Sequence, residues 1–445
     1  MEFEEFAGDR DGRLPVVVTG ADLPGGLGIA RALRDEGTPV YGLALDPASP
    51  CCRSSSWTDV LPVREDSVSG WLRALTELST RHPRQVLMIS QDTVVEIVAR
   101  HAQQLSGRYA FVLPDPGTVR TLGHKTAFAT WAREHGFPIP RTEVVCGERE
   151  LTEALDRLTF PVVVKPDLRN GRWSAASGRT KAHVLHSPEA VSAIPFPLFE
   201  VSDRYVVQEW IDGGDADVRF CLLYRDRDGR ELGYRTGRKL LQWPVGTGNT
   251  AVCTTTDDPE LHRLARELFD RAGLVGLASL EVKRDRRDGR YYVTEPTVGR
   301  PNLQSNVAAA AGVNLIAMAY RDACGAPAVP VGRTRPAIWL SESNVPPALV
   351  CSVARRQLDL AGIGRAVLRC RGLMLAYAGR HDLRPAVAML AGKARAFLPA
   401  RFRKGNGQRP GSTPAAAGVS QVHGPGPAAP ARPAPEASGA SALTV

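Results

Sequence analysis

No stretch of this chain is apolar for long enough to cross a bilayer. The apolar run Val307–Ala319 is short and interrupted by Asn314, which fits a buried helix. The segment Met1 to Asp11 is acidic and without an apolar run, so no secretory signal is expected. Cysteine is sparse and unpatterned: 51 and 52 are adjacent, and 146, 221, 253, 324, 351 and 370 are scattered. No CxxC pair occurs and none stands near a histidine pair, which excludes a disulfide framework and a structural zinc site. A reducing cytoplasm is the expected location. His124, His183 and His186 show no ligand spacing and receive no role.

An even surplus of positive charge is also missing. Residues 351–404 carry twelve Lys/Arg against two Asp, and the tail from Gly405 adds two Arg against one Glu. The first 350 residues therefore sum to −2 although the whole chain carries +9. A near-neutral body argues against a nucleic-acid binder. For the basic segment, a solvated arginine-rich helical face is weighed against contact with an anionic membrane surface or an acidic glycan.

What is present is the balance of an ordinary globular protein, 43% hydrophobic and 23% charged over 445 residues, enough for two or three domains. After a flexible stretch 1–13, Pro15-Val-Val-Val-Thr19 reads as a buried parallel strand. A glycine turn Gly20–Gly28 follows, then a helix Ile29–Glu36 and a strand Pro39–Leu45, a βαβ unit. Strand Val86–Ser90, helix Thr93–Gln104 and Phe111–Leu113 complete a Rossmann-like region, 14–113. From 114 to 330 a second α/β region is expected. It has a helix at Lys125–His135, strands Pro161–Lys165 and Arg204–Trp210, and the pair Val218–Tyr224 with Glu231–Thr236. Helix Pro259–Ala272, a hairpin of Leu277–Arg284 with Arg290–Glu295, and a helix from Gln304 to Cys324 follow. Residues 331–404 read as a basic helical extension and 405–445 as a disordered Pro/Ala/Gly-rich tail.

Four segments carry candidate chemistry. Lys125 opens a helix in Gly123-His-Lys-Thr, and Lys165 ends an apolar strand. Gln208-Glu209-Trp210-Ile211 closes another strand before Asp212-Gly-Gly-Asp215, and Glu281 and Glu295 sit on the two arms of the hairpin. Triphosphate carries about four negative charges, so ammonium groups from two elements can clamp it. Magnesium takes one or two carboxylates together with phosphate oxygens. Taken singly, Lys165 is a strand-end lysine reaching solvent, and the glutamates form cross-strand ion pairs with Lys283 and Arg290. Their order and spacing favour the joint reading.

In that order the segments resemble the ATP-grasp superfamily, and within it the carboxylate–amine ligases, from Val16 to Gly325. The resemblance implies an α/β chain: a Rossmann-like N-terminal domain, a two-lobed α+β ATP-grasp domain and a helical C-terminal extension. It implies that Lys125 and Lys165 contact the phosphates of ATP, that Gln208, Glu209, Trp210 and Ile211 form the adenine hinge, and that Asp215, or else Asp217, holds the ribose. Arg238 and Lys239, with the loop Gln242–Gly248, correspond to the basic strand facing the reacting phosphate. Glu281 and Glu295 correspond to the Mg²⁺ ligands. The usual motif Glu-x-Asn-Pro-Arg reads here Glu295-Pro-Thr-Val-Gly-Arg300-Pro-Asn302. Arg300 is therefore expected in the arginine's place as a catalytic group, and Asn302 or Thr297 in the asparagine's. The phosphate loop Asn170-Gly-Arg-Trp-Ser174 has one glycine, and His124 stands where the family is often acidic.

The implied reaction is ATP-driven activation of a small-molecule carboxylate as an acyl phosphate, followed by attack of an amine. One rival is an ATP-grasp protein that binds nucleotide without ligating. A second is an NAD(P)-dependent oxidoreductase built on Gly20–Gly28, with Asp46 as its ribose-binding acid. Asp92 is weighed as a substrate contact against a helix N-cap.

Overall fold

Four consecutive residues with no polar face, Val16 to Thr19, suit a strand covered on both sides. In the computed structural model all four are buried in β1 (Val16–Thr19). The structure describes residues 13–82, 84–168, 171–177, 181–327 and 331–397. Asn170 and the tail from Gly405 lie outside them. β1 is the middle of a five-stranded parallel sheet ordered β3 (Asp59–Pro62), β2 (Val40–Ala44), β1, β4 (Gln85–Met88), β5 (Tyr109–Ala110). Phe111–Leu113 falls just beyond its last strand.

The first helix begins earlier than expected, at Pro24, and runs to Ala32. Proline at its first turn gives up an N–H that would have no partner there anyway. Gly25, Gly26 and Gly28 are helical residues, so the glycine turn is largely a helix start. A β-carbon on Gly26 would stand 2.2 Å from the Gly20 carbonyl oxygen, which only glycine permits. That supports a packing role for these glycines.

The second region contains two further sheets. One is antiparallel, ordered β6 (Thr142–Val145), β9 (Tyr205–Glu209), β7 (Val162–Pro166), β8 (His183–Leu185). The other has seven strands: β14 (Tyr291–Val298), β13 (Gly276–Arg284), β10 (Val218–Arg225), β11 (Glu231–Trp243), β12 (Asn249–Thr256), β15 (Ala337–Leu340), β16 (Gly372–Leu375).

Alternation along β10 assigns its two faces. Phe220, Leu222 and Tyr224 pack on the helices Asn306–Ala310 and Leu315–Ala323 and, through them, on β1. Cys221 and Leu223 pack instead on Leu261, Leu264, Leu268 and Phe269 of the helix Pro259–Arg271. The single helix expected from Gln304 to Cys324 is broken because Gly312 has φ +98° and Asn314 caps the second piece by accepting from the Ala317 N–H.

The extension is not purely helical. Ala337-Ile-Trp-Leu340 joins the seven-stranded sheet antiparallel to β12, and Gly372-Leu-Met-Leu375 adds a parallel edge. Both are short apolar runs whose type periodicity alone does not settle. Among its described residues it also has the helices Val345–Ala354, Leu360–Arg369 and Arg384–Phe397. Among the described residues, no helix is long and apolar enough to cross a membrane.

Candidate active site

A lysine is the wrong charge for the positive end of a helix dipole, yet Lys125 is the first residue of the helix Lys125–Glu134, whose first turn holds no acid. Its Nζ lies 3.3 Å from Glu295 Oε1. Lys165, near the end of β7, is held by a relay from a neighbouring strand. Its Nζ donates to Gln208 Oε1 at 3.0 Å, and Gln208 Nε2 donates to Thr142 Oγ1 at 2.9 Å. Burial, reinforced by Lys125, lowers the Lys165 pKa, while Glu295 and Glu281 oppose the shift. Lys165 faces the cleft, not bulk solvent.

Glu281 and Glu295 are paired directly across β13 and β14, and the register shifts just after them, between Glu281 and Val282. Like charges directly opposite each other are destabilising, and irregular strands gather next to active sites. Lysines compensate on either side: Lys239 Nζ lies 2.7 Å from Glu281 Oε2, and Lys125 reaches Glu295. The glutamates are thus not paired with Lys283 and Arg290. Burial pushes the Glu295 carboxyl up, but Lys125, Lys181, Lys165 and Arg300 outweigh it and hold the pKa at about 2. Its side chain is 49% exposed toward the cleft, so water weakens the energetic weight of that shift.

Two opposed carboxylates beside a phosphate clamp are the donor set that suits a hard divalent cation. Among the described residues, no group of three acidic, His or Cys side chains is placed to hold a metal. An ion here would therefore rest on these two carboxylates and on oxygens from the phosphates or water.

A cleft open to solvent lies between the four-stranded and seven-stranded sheets and is lined by residues of both. Its lining combines the apolar side chains of Pro140, Val163, Ala182, Trp210 and Ile211 with the charged ones of Lys125, Lys165, Lys181, Glu281 and Glu295. Gln208 and Glu209 line it as well, and Glu209 Oε1 accepts from the Thr159 N–H at 2.9 Å.

Sequence reasoning missed Lys181 and Lys283. Lys283 is 6% exposed, its Nζ sits 4.1 Å over the Trp210 ring, and burial lowers its pKa to about 8 against the pull of Asp217, Asp212, Asp215 and Asp285. Its position two residues after Glu281, on the same strand face, was the available signal.

Other expected residues stand elsewhere. Arg238 alternates with Lys239 and lies on the opposite sheet face, beside Arg219 in the register and 3.9 Å from Asp359. Lys239 is 3% exposed and also donates to Gln242 Oε1 at 2.9 Å. Asp215 is not offered to a ligand: it accepts from the Gln242 N–H at 2.8 Å, Gln242 Nε2 at 2.9 Å and the Gly246 N–H at 3.0 Å. Asp217 binds the Gly214 N–H and Arg286 Nε, each at 2.8 Å. Both acids therefore brace loops. Asn302 donates to Ser279 Oγ at 3.1 Å and accepts from the Leu303 N–H, and it does not line the cleft. Thr297 lies opposite Ser279 in the register.

Arg300 forms a two-pronged pair with Asp92, Nε to Oδ1 at 2.5 Å and a terminal nitrogen to Oδ2 at 2.8 Å. The first region is thereby tied to the end of β14. Asp92 is the first residue of its helix, and the N-cap is Gln91.

Solved structures share the arrangement of this chain's fold. No family model matches the chain. Over 225 residues it is 26% identical to a D-aspartate ligase of Enterococcus faecium, a match spanning 49% of this chain and 53% of that one. An alpha-aminoadipate–LysW ligase of Sulfolobus acidocaldarius is 23% identical over 229 residues, 49% of this chain and 78% of that one. The ADP complex of an N5-carboxyaminoimidazole ribonucleotide synthetase superposes with TM-score 0.57 at 16% identity, covering 74% of this chain and 81% of that one. The chain has the ATP-grasp fold. A biotin carboxylase–β,γ-ATP complex from Campylobacter jejuni shares that fold at TM-score 0.56 and 12% identity, covering 74% and 76% of the two chains. In this chain the cleft residues come from both sheets, from the helix start at Lys125 and from the loop Gly246–Gly248. Both of these curated relatives are named as ligases.

Proposed function

We propose that the chain is an ATP- and Mg²⁺-dependent ligase that joins a small-molecule carboxylate to an amine. The observation that carries this reading is the opposed pair Glu281–Glu295, each member held by a lysine, on the wall of one cleft with Lys165.

Lys125 and Lys165 bind the phosphate oxygens and offset charge as it develops, and Lys181 closes the same end of the cleft. Gln208 keeps Lys165 aimed. The apolar lining contributed by Trp210 and Ile211 takes the purine. Glu281 and Glu295 would hold magnesium, which supplies charge neutralisation across the phosphates. A carboxylate oxygen of the first substrate attacks the γ-phosphorus as the bond to ADP breaks, giving an acyl phosphate. The amine nitrogen then attacks the acyl carbon, phosphate leaves and an amide remains. Positioning supplies most of the rate. Arg300, pinned by Asp92 and outside the cleft lining, acts on the site through its charge near Glu295.

The region 14–113 serves as the Rossmann-like partner of the grasp region 114–330. Eight cysteines without disulfides support placement in a reducing cytoplasm.

The test is ADP release with ATP, Mg²⁺ and a panel of amino acids, beginning with acidic ones because a relative is named for D-aspartate. Release that requires both a carboxylate and an amine supports ligation, and Lys165→Ala should lower kcat by roughly 10²–10³-fold in a folded protein. ATP binding without substrate-dependent turnover across the panel would favour the non-ligating ATP-grasp reading. Full turnover in Lys165→Ala would overturn the site.

A further inference from the structure

Large apolar side chains exposed to solvent are concentrated in one part of this molecule. Among the described residues thirteen are exposed, and ten of them, from Leu349 to Leu390, belong to the C-terminal extension. Scattered exposed leucines need no explanation, but clustering does.

Their spacing is helical. On the helix Leu360–Arg369, the residues Leu360, Val367 and Leu368 are 71%, 60% and 80% exposed. They fall on one stripe, opposite the buried Gly362 and Ala366 that face Leu240 and Ile338. On the helix Arg384–Phe397, Val387 and Leu390 are 62% and 60% exposed and continue a stripe begun by Leu383 at 61%. Pro385 and Met389 take the buried side. Basic residues flank the outward stripe on both edges, Arg384 and Arg395 on one and Lys393 on the other, by helical angle. Each helix therefore has an apolar face inside and a second one outside.

The charge around these stripes has one sign. Between 351 and 397 the acids are Asp359 and Asp382, and each is paired with an arginine. Asp359 caps its helix at the Gly362 N–H and pairs with Arg238. Asp382 accepts from Ser54 Oγ and pairs with Arg31. What faces outward is leucine, valine, arginine and lysine. Beside the last helix, Arg53, Arg380, Arg384 and Arg395 line an open groove together with Asp382, whose carboxylate is buried against Arg31.

This combination selects the occupant. A second copy would bring the same positive face against it, which repels. The chain's own tail from residue 405 is also positive and carries four large apolar residues, Val419, Val422, Leu443 and Val445. We propose that the extension docks on an anionic phospholipid surface, the outward stripes entering the headgroup layer while the arginines meet lipid phosphates.

The proposal is independent of the ligase reading, because none of these residues lines the cleft. It is tested by co-sedimenting the full chain with vesicles of phosphatidylcholine alone and of phosphatidylcholine with phosphatidylglycerol. The expected result is binding to the anionic vesicles at least tenfold tighter than to the neutral ones, weakening as salt rises. Leu368→Ser/Val387→Ser/Leu390→Ser should reduce that binding at least tenfold with Tm unchanged, since the substituted side chains are already in water. Equal binding to both vesicles, no binding to either, or unchanged binding by a folded triple variant would overturn it. Capture of an acidic protein by a chain that ignores vesicles would overturn it equally.

Discussion

Glu281 and Glu295 stand directly opposite one another on adjacent antiparallel strands, and each is paired with a lysine from a different element. A sheet selected for stability alone would not put two carboxylates in register. Lys239 comes from β11 of the same sheet and Lys125 from a helix start. With its pKa near 2, Glu295 remains ionised throughout the neutral range.

Lys283 gives a pH signature. Its folded pKa, about 8, lies below its ordinary 10.5. Between those values the unfolded chain binds more protons than the folded one, so this group makes stability rise with pH across that window. Below about pH 8 the buried ammonium costs up to about 3 kcal/mol. Lys283→Met should therefore raise Tm at pH 7 and remove the rise between pH 8 and 10, measured by thermal melts. A lower Tm at pH 7 would show that packing over Trp210 outweighs desolvation.

Asp215 distinguishes loop bracing from ribose binding. Its three accepted hydrogen bonds hold Gln242 and Gly246. Asp215→Ala should raise the apparent Kd for ATP and for 2′-deoxy-ATP by the same factor, because the loop slackens for both. A direct ribose role requires a selective loss for ATP. Competition binding with the two nucleotides reads the difference.

Gly26→Ala tests the packing role of the glycine turn. The added methyl would meet a backbone oxygen at 2.2 Å, with no flexible side chain to yield. A loss of about 2 kcal/mol or more is expected from overpacking, measured by urea denaturation. Gly25→Ala, which meets Ser90 Cβ at 3.8 Å, is the tolerant control.

Much of the core was legible because its signals are local. The run before Lys165, the turn Arg287-Asp288-Gly289 and the alternation along β10 each state their own geometry. Lys125, Lys165, Gln208, Glu209, Trp210, Ile211, Glu281 and Glu295 were named from the sequence, and all line one cleft.

What sequence reading missed depends on three-dimensional neighbours. Nothing in the stretch around Asp215 reveals that Gln242 and Gly246 will consume its carboxylate. The face occupied by Arg238 follows from strand alternation, which places it away from Lys239. The sequence predicts helix at β15 and β16 because an isolated apolar tetrad fits a helix turn as well as a short strand. Lys283 looked like an ion-pair partner for the glutamates, whereas its place over Trp210 depends on a hinge more than seventy residues earlier in the chain.

The account rests on one cleft in which lysines take phosphate and opposed glutamates take the metal. The most direct measurement is calorimetric binding of a non-hydrolysable ATP analogue with and without Mg²⁺. Wild-type protein should bind at least tenfold tighter with Mg²⁺, and Glu281→Gln/Glu295→Gln should lose that dependence. Lys165→Ala should weaken binding under both conditions. Magnesium-dependent binding that persists undiminished in the double glutamine variant would contradict the account.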